Sequence, residues 1–302
     1  MEEKNIKIVV SYDGTAYEGW QYQPGRSTIQ GTIEEKLSLI LCAPVKAIAS
    51  GRTDAGVHAL KQTAHFRTSS SLSPDAILKG LNSLLKDDIR VKSARYVHLD
   101  FHARYSAISK LYEFYILNRP EPDIFRRAFQ WHIRAALDIS AMASCLKLIE
   151  GRHDFTSFRS SGSANVNPVR NVLRAELTDR KDGLLAVAIE ADGFLRHMVR
   201  NIVGTVVEAG LGKLTPLDFA NILEGRDRKL AGPNAPARGL FLVEVRYAPG
   251  WELPSGDNPD SRDISFEFME LKCFLFSSPS TGEGGGTWPL LGALCFTGRY
   301  DG

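Results

Sequence analysis

The apolar residues of this chain switch period repeatedly, from every second residue to every third or fourth and back, which commits it to short strands mixed with amphipathic helices. Lys7 to Tyr12 reads as a buried strand. Thr28 to Ala43 reads as a helix with Ile29, Ile33, Leu37, Ile40 and Leu41 on one side, and Thr32 with Glu35 reads as a capping box inside it. A short segment at Ala47 to Ser50 and a strand from Gln62 to Arg67 follow. Ser73-Pro74-Asp75 then marks a helix start, because serine caps, proline tolerates the first turn and the acid suits the positive helix end. Ile77, Leu78, Leu81, Leu84 and Leu85 supply its buried face, and strands are expected at Ile89 to Leu99 and Lys110 to Asn118.

A second half, from about Tyr105, shows a similar order. The pattern predicts a helix at Asp138 to Glu150, strands near Val172 to Thr178 and Leu184 to Glu190, and a helix at Phe194 to Glu208. Thr215-Pro216-Leu217-Asp218 opens another helix that Gly225 closes, and Gly239 to Tyr247 alternates like a last strand. The expected class is therefore α+β, with two similar lobes over residues 1–104 and 105–249 whose sheets join around a central cleft. No residue-level repeat ties the halves together. After Pro249 the chain becomes rich in Gly and Pro, so residues 250–302 read as an appended, poorly ordered tail.

Charge is distributed unevenly. The net charge is +2, yet residues 251–302 carry 3 Lys/Arg against 8 Asp/Glu, leaving the first 250 residues with 34 against 27, a net +7. That excess is compatible with a polyanionic partner without requiring one. The opening MEEKNIKIVV lacks the order of a secretory signal, and no apolar stretch reaches the roughly 20 residues that span a bilayer, so a soluble, cytoplasmic protein without membrane contact is expected. Cys42, Cys145, Cys273 and Cys295 lie far apart among apolar neighbours, which predicts buried thiols in place of zinc ligands or disulfides.

Chemistry concentrates in Gly51-Arg52-Thr53-Asp54-Ala55-Gly56, which sets a carboxylate between an arginine and a glycine. A guanidinium favours the charged form of a nearby carboxylate, and glycines permit tight turns or close approach of a ligand. Asp54 could serve as nucleophile or base, although an aspartate in such a loop is more often a turn residue bonding its own backbone. Elsewhere, His98 and His102 have the spacing of two metal ligands on a helix, but their neighbours read as extended and no third ligand stands out, so structural histidines are expected. Ser11 stands where aspartate-nucleophile phosphotransferases place their carboxylate, two residues before Asp13.

The string GRTDAGVHA resembles the signature of the tRNA pseudouridine synthase A family. The resemblance extends in order through VSYDGTAYEGWQYQP, SKLYEFYILN, GRHDFTSFR and FLRHMVRNIVGTVVEAGLGK, covering roughly residues 5–248. It implies the pseudouridine synthase fold with mainly antiparallel sheets, isomerisation of uridines 38, 39 and 40 in the anticodon stem-loop of transfer RNA, no metal or organic cofactor, and a homodimer. Asp54 matches the family's nucleophile, Tyr112 the tyrosine that stacks on the target base, and Arg200 the arginine that pairs with the aspartate. Arg52 is expected to contact RNA or fill the space of the flipped base, and Arg104, Arg126, Arg127, Arg159 and Arg170 are weaker candidates for phosphate contacts. Helical spacing would let Arg196 join Arg200 at the cleft while Met198, Ile202 and Val206 fill the core. His58 is expected to support the shape of the loop. The competing readings are an RNA-binding module without turnover and, with little support, a metal or phosphate enzyme built around Asp13 or His98.

Overall fold

The structure is a computed structural model and describes residues 2–160 and 167–253. Strands β1 (Lys4–Tyr12), β2 (Ile48–Ala49), β3 (His58–Thr68) and β4 (Ile89–Val97) come from the first half, with helices α1 (Ile29–Leu41) and α2 (Pro74–Leu84). The second half adds β5 (Ala107–Asn118), β6 (Trp131–Ile133), α3 (Ile139–Lys147), β7 (Gly151–Asp154), β8 (Val169–Asp179), β9 (Leu184–Ala191), α4 (Met198–Gly210), α5 (Pro216–Gly225) and β10 (Leu240–Tyr247). Among the described residues these ten strands form one sheet in the order β4-β1-β3-β10-β5-β9-β8-β7, with β2 paired to β3 and β6 to β5.

The last strand makes the join between the halves. β10 lies antiparallel to β5 and parallel to β3, where Phe241 and Leu242 stand opposite His58 and Ala59. Apart from this pairing and that of β6 with β5, all the named strand pairs are antiparallel. Leu240, Phe241, Leu242, Val243 and Val245 of β10 are buried, consistent with a strand covered on both faces over most of its length, whereas Arg246 is exposed. On one face, Tyr112, Phe114 and Ile116 merge with the apolar sides of the helices, including Ile33 and Leu37 of α1, Leu81 of α2 and Ile202 and Val206 of α4. Leu111 and Tyr115 point to the other face and cluster with Leu184, Phe241 and Val243. This is the alternation expected of β5, and each such buried side chain contributes about 1.5–3 kcal/mol relative to exposure.

Local capping chemistry sets the helix starts. Ser73 Oγ accepts from Ala76 N–H at 3.2 Å, and Thr215 and Asp218 exchange bonds at 2.8 and 3.1 Å in a reciprocal cap. α5 ends at Gly225 as expected, with Arg226 taking the left-handed turn. Three expectations need correction. Thr28 caps α1, and Thr32, already inside the helix, donates to Thr28 O at 3.0 Å, so the proposed Thr32–Glu35 box does not form. Cys42 is exposed at the end of α1, although Cys145 is buried. The helix expected from Phe194 begins at Met198, because His197 adopts a left-handed conformation that a continuing helix does not allow.

Past Pro249 the described chain continues along the body. Trp251 packs on Phe101 at 5.7 Å, Leu253 N–H donates to Tyr96 O at 3.0 Å, and Glu252 forms an ion pair with Lys7. The reading of a disordered tail falls, from residue 254 onward, outside the described residues.

Candidate active site

The loop carrying Asp54 protrudes because its two flanking strands pair only away from it. Ile48 and Ala49 of β2 pair with His65 and Ala64 of β3, so the chain leaves the sheet at Ser50 and rejoins it at His58. Ser50 N–H donates to Thr63 O at 2.8 Å, and Gln62 Nε2 donates to Gly51 O at 2.9 Å, closing the neck. Lys110 Nζ adds a bond to Ser50 O at 2.5 Å. At the tip Val57 N–H donates to Asp54 O at 3.1 Å, and Gly56 takes a φ of 74°.

The segment between β1 and α1 clamps this loop. Trp20 N–H donates to Thr53 O at 3.0 Å, Gly56 N–H donates to Tyr17 O at 3.3 Å, and the Tyr12 hydroxyl bonds the Thr53 hydroxyl at 2.8 Å. Gly19 has a φ of 86°, and a Cβ there would lie 2.5 Å from Thr53 O, so the backbones approach too closely for any side chain. His58 is buried: its Nδ1 accepts from Gly14 N–H at 3.1 Å, its Nε2 lies 3.1 Å from Ala128 O, and its ring stacks on Phe241 at 4.6 Å. The expectation that His58 supports the loop agrees with this packing.

Asp54 reaches across the sheet to the start of α4. Its Oδ2 lies 3.3 Å from Arg200 Nη1, with 31% of the aspartate side chain and 15% of the arginine side chain exposed. Arg200 is itself held by Ala235, which accepts from its Nε at 2.7 Å and donates to its carbonyl at 3.0 Å. The loop supplying Ala235 lies tight on α4, since a Cβ on Gly204 would sit 1.7 Å from Pro233 O. Arg196 does not accompany Arg200. It is exposed and precedes the helix, so the one-turn spacing that would align them is absent, whereas Met198, Ile202 and Val206 are buried as expected.

Tyr112 is 7% exposed, and its ring meets Phe194 edge-on at 4.9 Å. Burial raises its hydroxyl pKa well above the ordinary value, and the neighbouring Tyr12 and Asp54 act in the same direction, so the phenol stays neutral. Arg52 is exposed at the loop tip and makes no hydrogen bond or ion pair among the described residues. The other arginines have mixed surroundings. Arg126 pairs with Asp123 at 2.6 Å, Arg127 donates to Ile124 O, and the backbone of Arg159 closes a turn on Thr156. Arg104 lies over the Tyr105 ring at 5.7 Å, and Arg170 donates to the carbonyls of Asn167 and Val169. His102 Nδ1 accepts from the backbone N–H of Arg104 at 3.1 Å.

Two residues at the site escaped the sequence reading. His197 Nε2 lies 3.4 Å from Asp54 Oδ1, and its Nδ1 lies 2.7 Å from Ser160 Oγ. Its position three residues before Arg200, at the edge of an apolar helix, was the available signal. Lys110 stands two residues before Tyr112 on the same strand face. Burial, with Arg104 and Arg170 nearby, pushes its ammonium down to about 8. Together these groups make a partly exposed carboxylate, a neutral aromatic wall and a surrounding positive field, an arrangement suited to a nucleophile acting on a ring carried by a polyanion.

Among the described residues no helix is long and apolar enough to cross a membrane. Residues 8–106 and 145–248 match the model of a family described as tRNA pseudouridine synthase. A tRNA pseudouridine synthase A of Geobacillus kaustophilus is 47% identical over 247 residues, covering 81% of this chain and 95% of that protein. Those of Syntrophotalea carbinolica and Acetivibrio thermocellus are each 43% identical over 244 residues, covering 81% of this chain and 96% and 100% of theirs. The matched segments carry the second half of β1, the Asp54 loop, α4 and β10, and on these grounds the chain belongs to the tRNA pseudouridine synthase family and is an isomerase of that kind.

Proposed function

We propose that this enzyme isomerises uridine to pseudouridine at positions 38, 39 and 40 of the anticodon stem-loop of transfer RNA, with Asp54 as nucleophile. The observation that carries the reading is the 3.3 Å contact between Asp54 and Arg200, two residues 146 positions apart that meet beside Tyr112. The target base must leave its stack for the carboxylate to reach it. The C1′–N1 bond then breaks, the uracil turns while the pocket retains it, and a C1′–C5 bond forms. The proton lost from C5 balances the one gained at N1, so substrate and product are isomers and no external oxidant or energy source enters.

In this scheme Arg200 orients Asp54, Tyr112 stacks on the base, and Arg52, exposed at the loop tip, meets the RNA. Arg104 and Arg170 flank Lys110 and are the better placed of the phosphate-contact candidates, whereas Arg126 is already paired with Asp123. A homodimer embracing one transfer RNA, working in the cytoplasm, completes the proposal. Purified enzyme incubated with unmodified transfer RNA and mapped position by position should show pseudouridine at 38, 39 and 40. Product confined to other positions would contradict the site assignment, and RNA binding without any product would favour a non-catalytic module.

A further inference from the structure

The two oxygens of Asp54 face partners of different kinds. Arg200, a permanent cation, lies 3.3 Å from Oδ2, and the imidazole of His197 lies 3.4 Å from Oδ1. On the far side of that ring Ser160 Oγ is 2.7 Å from Nδ1, so hydroxyl, imidazole and carboxylate form a chain. Ser160 is anchored in turn, because its N–H donates to the carbonyl of Arg196 at 3.1 Å. His197 holds φ 61° and ψ 8° without a side-chain cap bond to α4. That conformation is uncommon for a non-glycine residue, although histidine is among those enriched in it, and here it accompanies the approach of the ring to Asp54.

The neighbours also select the tautomer. Burial keeps the His197 pKa below the ordinary imidazole value, Asp54 opposes this, and Arg200, Arg196 and Arg228 reinforce it. A neutral ring carries one N–H. Placed on Nδ1, it would turn the Nε2 lone pair toward the Asp54 charge. Placed on Nε2, it offers that charge a donor and lets the Ser160 hydroxyl donate to Nδ1. A separation of 3.4 Å is longer than a formed hydrogen bond, as is common in catalytic sites before substrate binds.

We propose that His197 is a positioning residue, whose Nε2–H fixes the Asp54 carboxylate for attack while Ser160 fixes the His197 tautomer. The inference rests on the proposed role of Asp54 as nucleophile. A neutral donor holds one oxygen without adding a second full positive charge that would damp the nucleophile. Arg200 alone would leave the carboxylate free to rotate about its single contact.

Glutamine and glutamate are close in size, reach about as far as Nε2 and carry the same backbone strain at a left-handed position, so His197→Gln and His197→Glu differ mainly in what faces Asp54. Rates of pseudouridine formation on unmodified transfer RNA are measured for both, with the affinity for that RNA and the melting temperature of each variant. His197→Gln should keep kcat within about 10-fold of wild type, and His197→Glu should lose about 100-fold or more, with KM changed far less than kcat. Ser160→Ala should lower kcat by about 3–10-fold at unchanged KM, a smaller loss because it acts through the ring. Equal kcat in the Gln and Glu variants, or losses that track melting temperature, would overturn the inference. A wild-type enzyme that makes no pseudouridine would instead overturn the reading beneath it.

Discussion

Arg200 touches Asp54 through Nη1 and Ala235 through Nε, a fork that only a guanidinium supplies. Arg200→Lys should therefore lower kcat/KM by about 100-fold despite keeping the charge, because one ammonium cannot reproduce both contacts in the same geometry. Steady-state kinetics on unmodified transfer RNA checks this, and a loss under threefold would show that charge alone matters. Lys110 gives a prediction of opposite character. Its folded pKa of about 8 lies below the 10.5 of a free lysine, so between those values the unfolded chain binds a proton that the native chain does not. Stability contributed by this group rises with pH across that window, and the cost of burying the ammonium is greatest below it. Lys110→Met should raise the melting temperature at pH 7, and the gain over wild type should shrink steadily from pH 8 to 10.5. A gain independent of pH would contradict the assignment. The residues of the site were unequally legible in the sequence. Asp54 and Arg200 could be named through family resemblance, but nothing local to either shows the meeting, which depends on the sheet joining both halves. His197 was missed although it stands three residues before Arg200, because the helical reading from Phe194 gave the place beside Arg200 to Arg196; the left-handed turn at His197 ends that alignment and leaves the imidazole at Asp54.

Some local signals were read correctly and others, the cap of α1 and the start of α4, were not, while neighbours set by distant pairing could not be read locally at all. Ser73-Pro74 and Thr215-Pro216 fix the starts of α2 and α5 through bonds spanning three residues, so their sequence suffices. The place of β10 between β3 and β5 is a long-range outcome, invisible in the alternation of β10 itself. The loop over α4 shows how elements transmit strain to the site. Gly204→Ala would place a methyl 1.7 Å from Pro233 O, two residues before the Ala235 that holds Arg200. The variant should lose about 3 kcal/mol or more of stability and, where still folded, a larger share of kcat than of RNA affinity. Denaturant melts and kinetics at a temperature where both proteins remain folded separate the two effects. Unchanged stability would mean that the 232–236 loop can move aside.

For the whole molecule, the family similarity closes a few residues before the last described contacts. The matched segment closes at residue 248, and the last described contacts, those of Trp251, Glu252 and Leu253, tie the chain to β1, β4 and Phe101. A chain ending after Leu253 should retain the melting temperature and activity of the full protein. One ending after Gly239 lacks β10, the strand joining the two halves of the sheet, and should not fold cooperatively. Circular dichroism melts of the two truncations test this, and activity lost in the longer one would assign residues 254–302 a role in catalysis. The positive balance of residues 1–250 predicts that RNA affinity falls steeply with salt, since it would rest on phosphate contacts.

In the proposed reaction Asp54 attacks the target nucleotide, and RNA binding is largely the work of other residues. Asp54→Asn keeps the size of the side chain, a partner for Arg200 and the turn-forming tendency of the loop while removing the nucleophile. Measured side by side with wild type on the same unmodified transfer RNA, it should bind with a Kd within about threefold and form no detectable pseudouridine, a loss of at least about 10,000-fold. Pseudouridine formation by Asp54→Asn within about 10-fold of the wild-type rate would contradict the account.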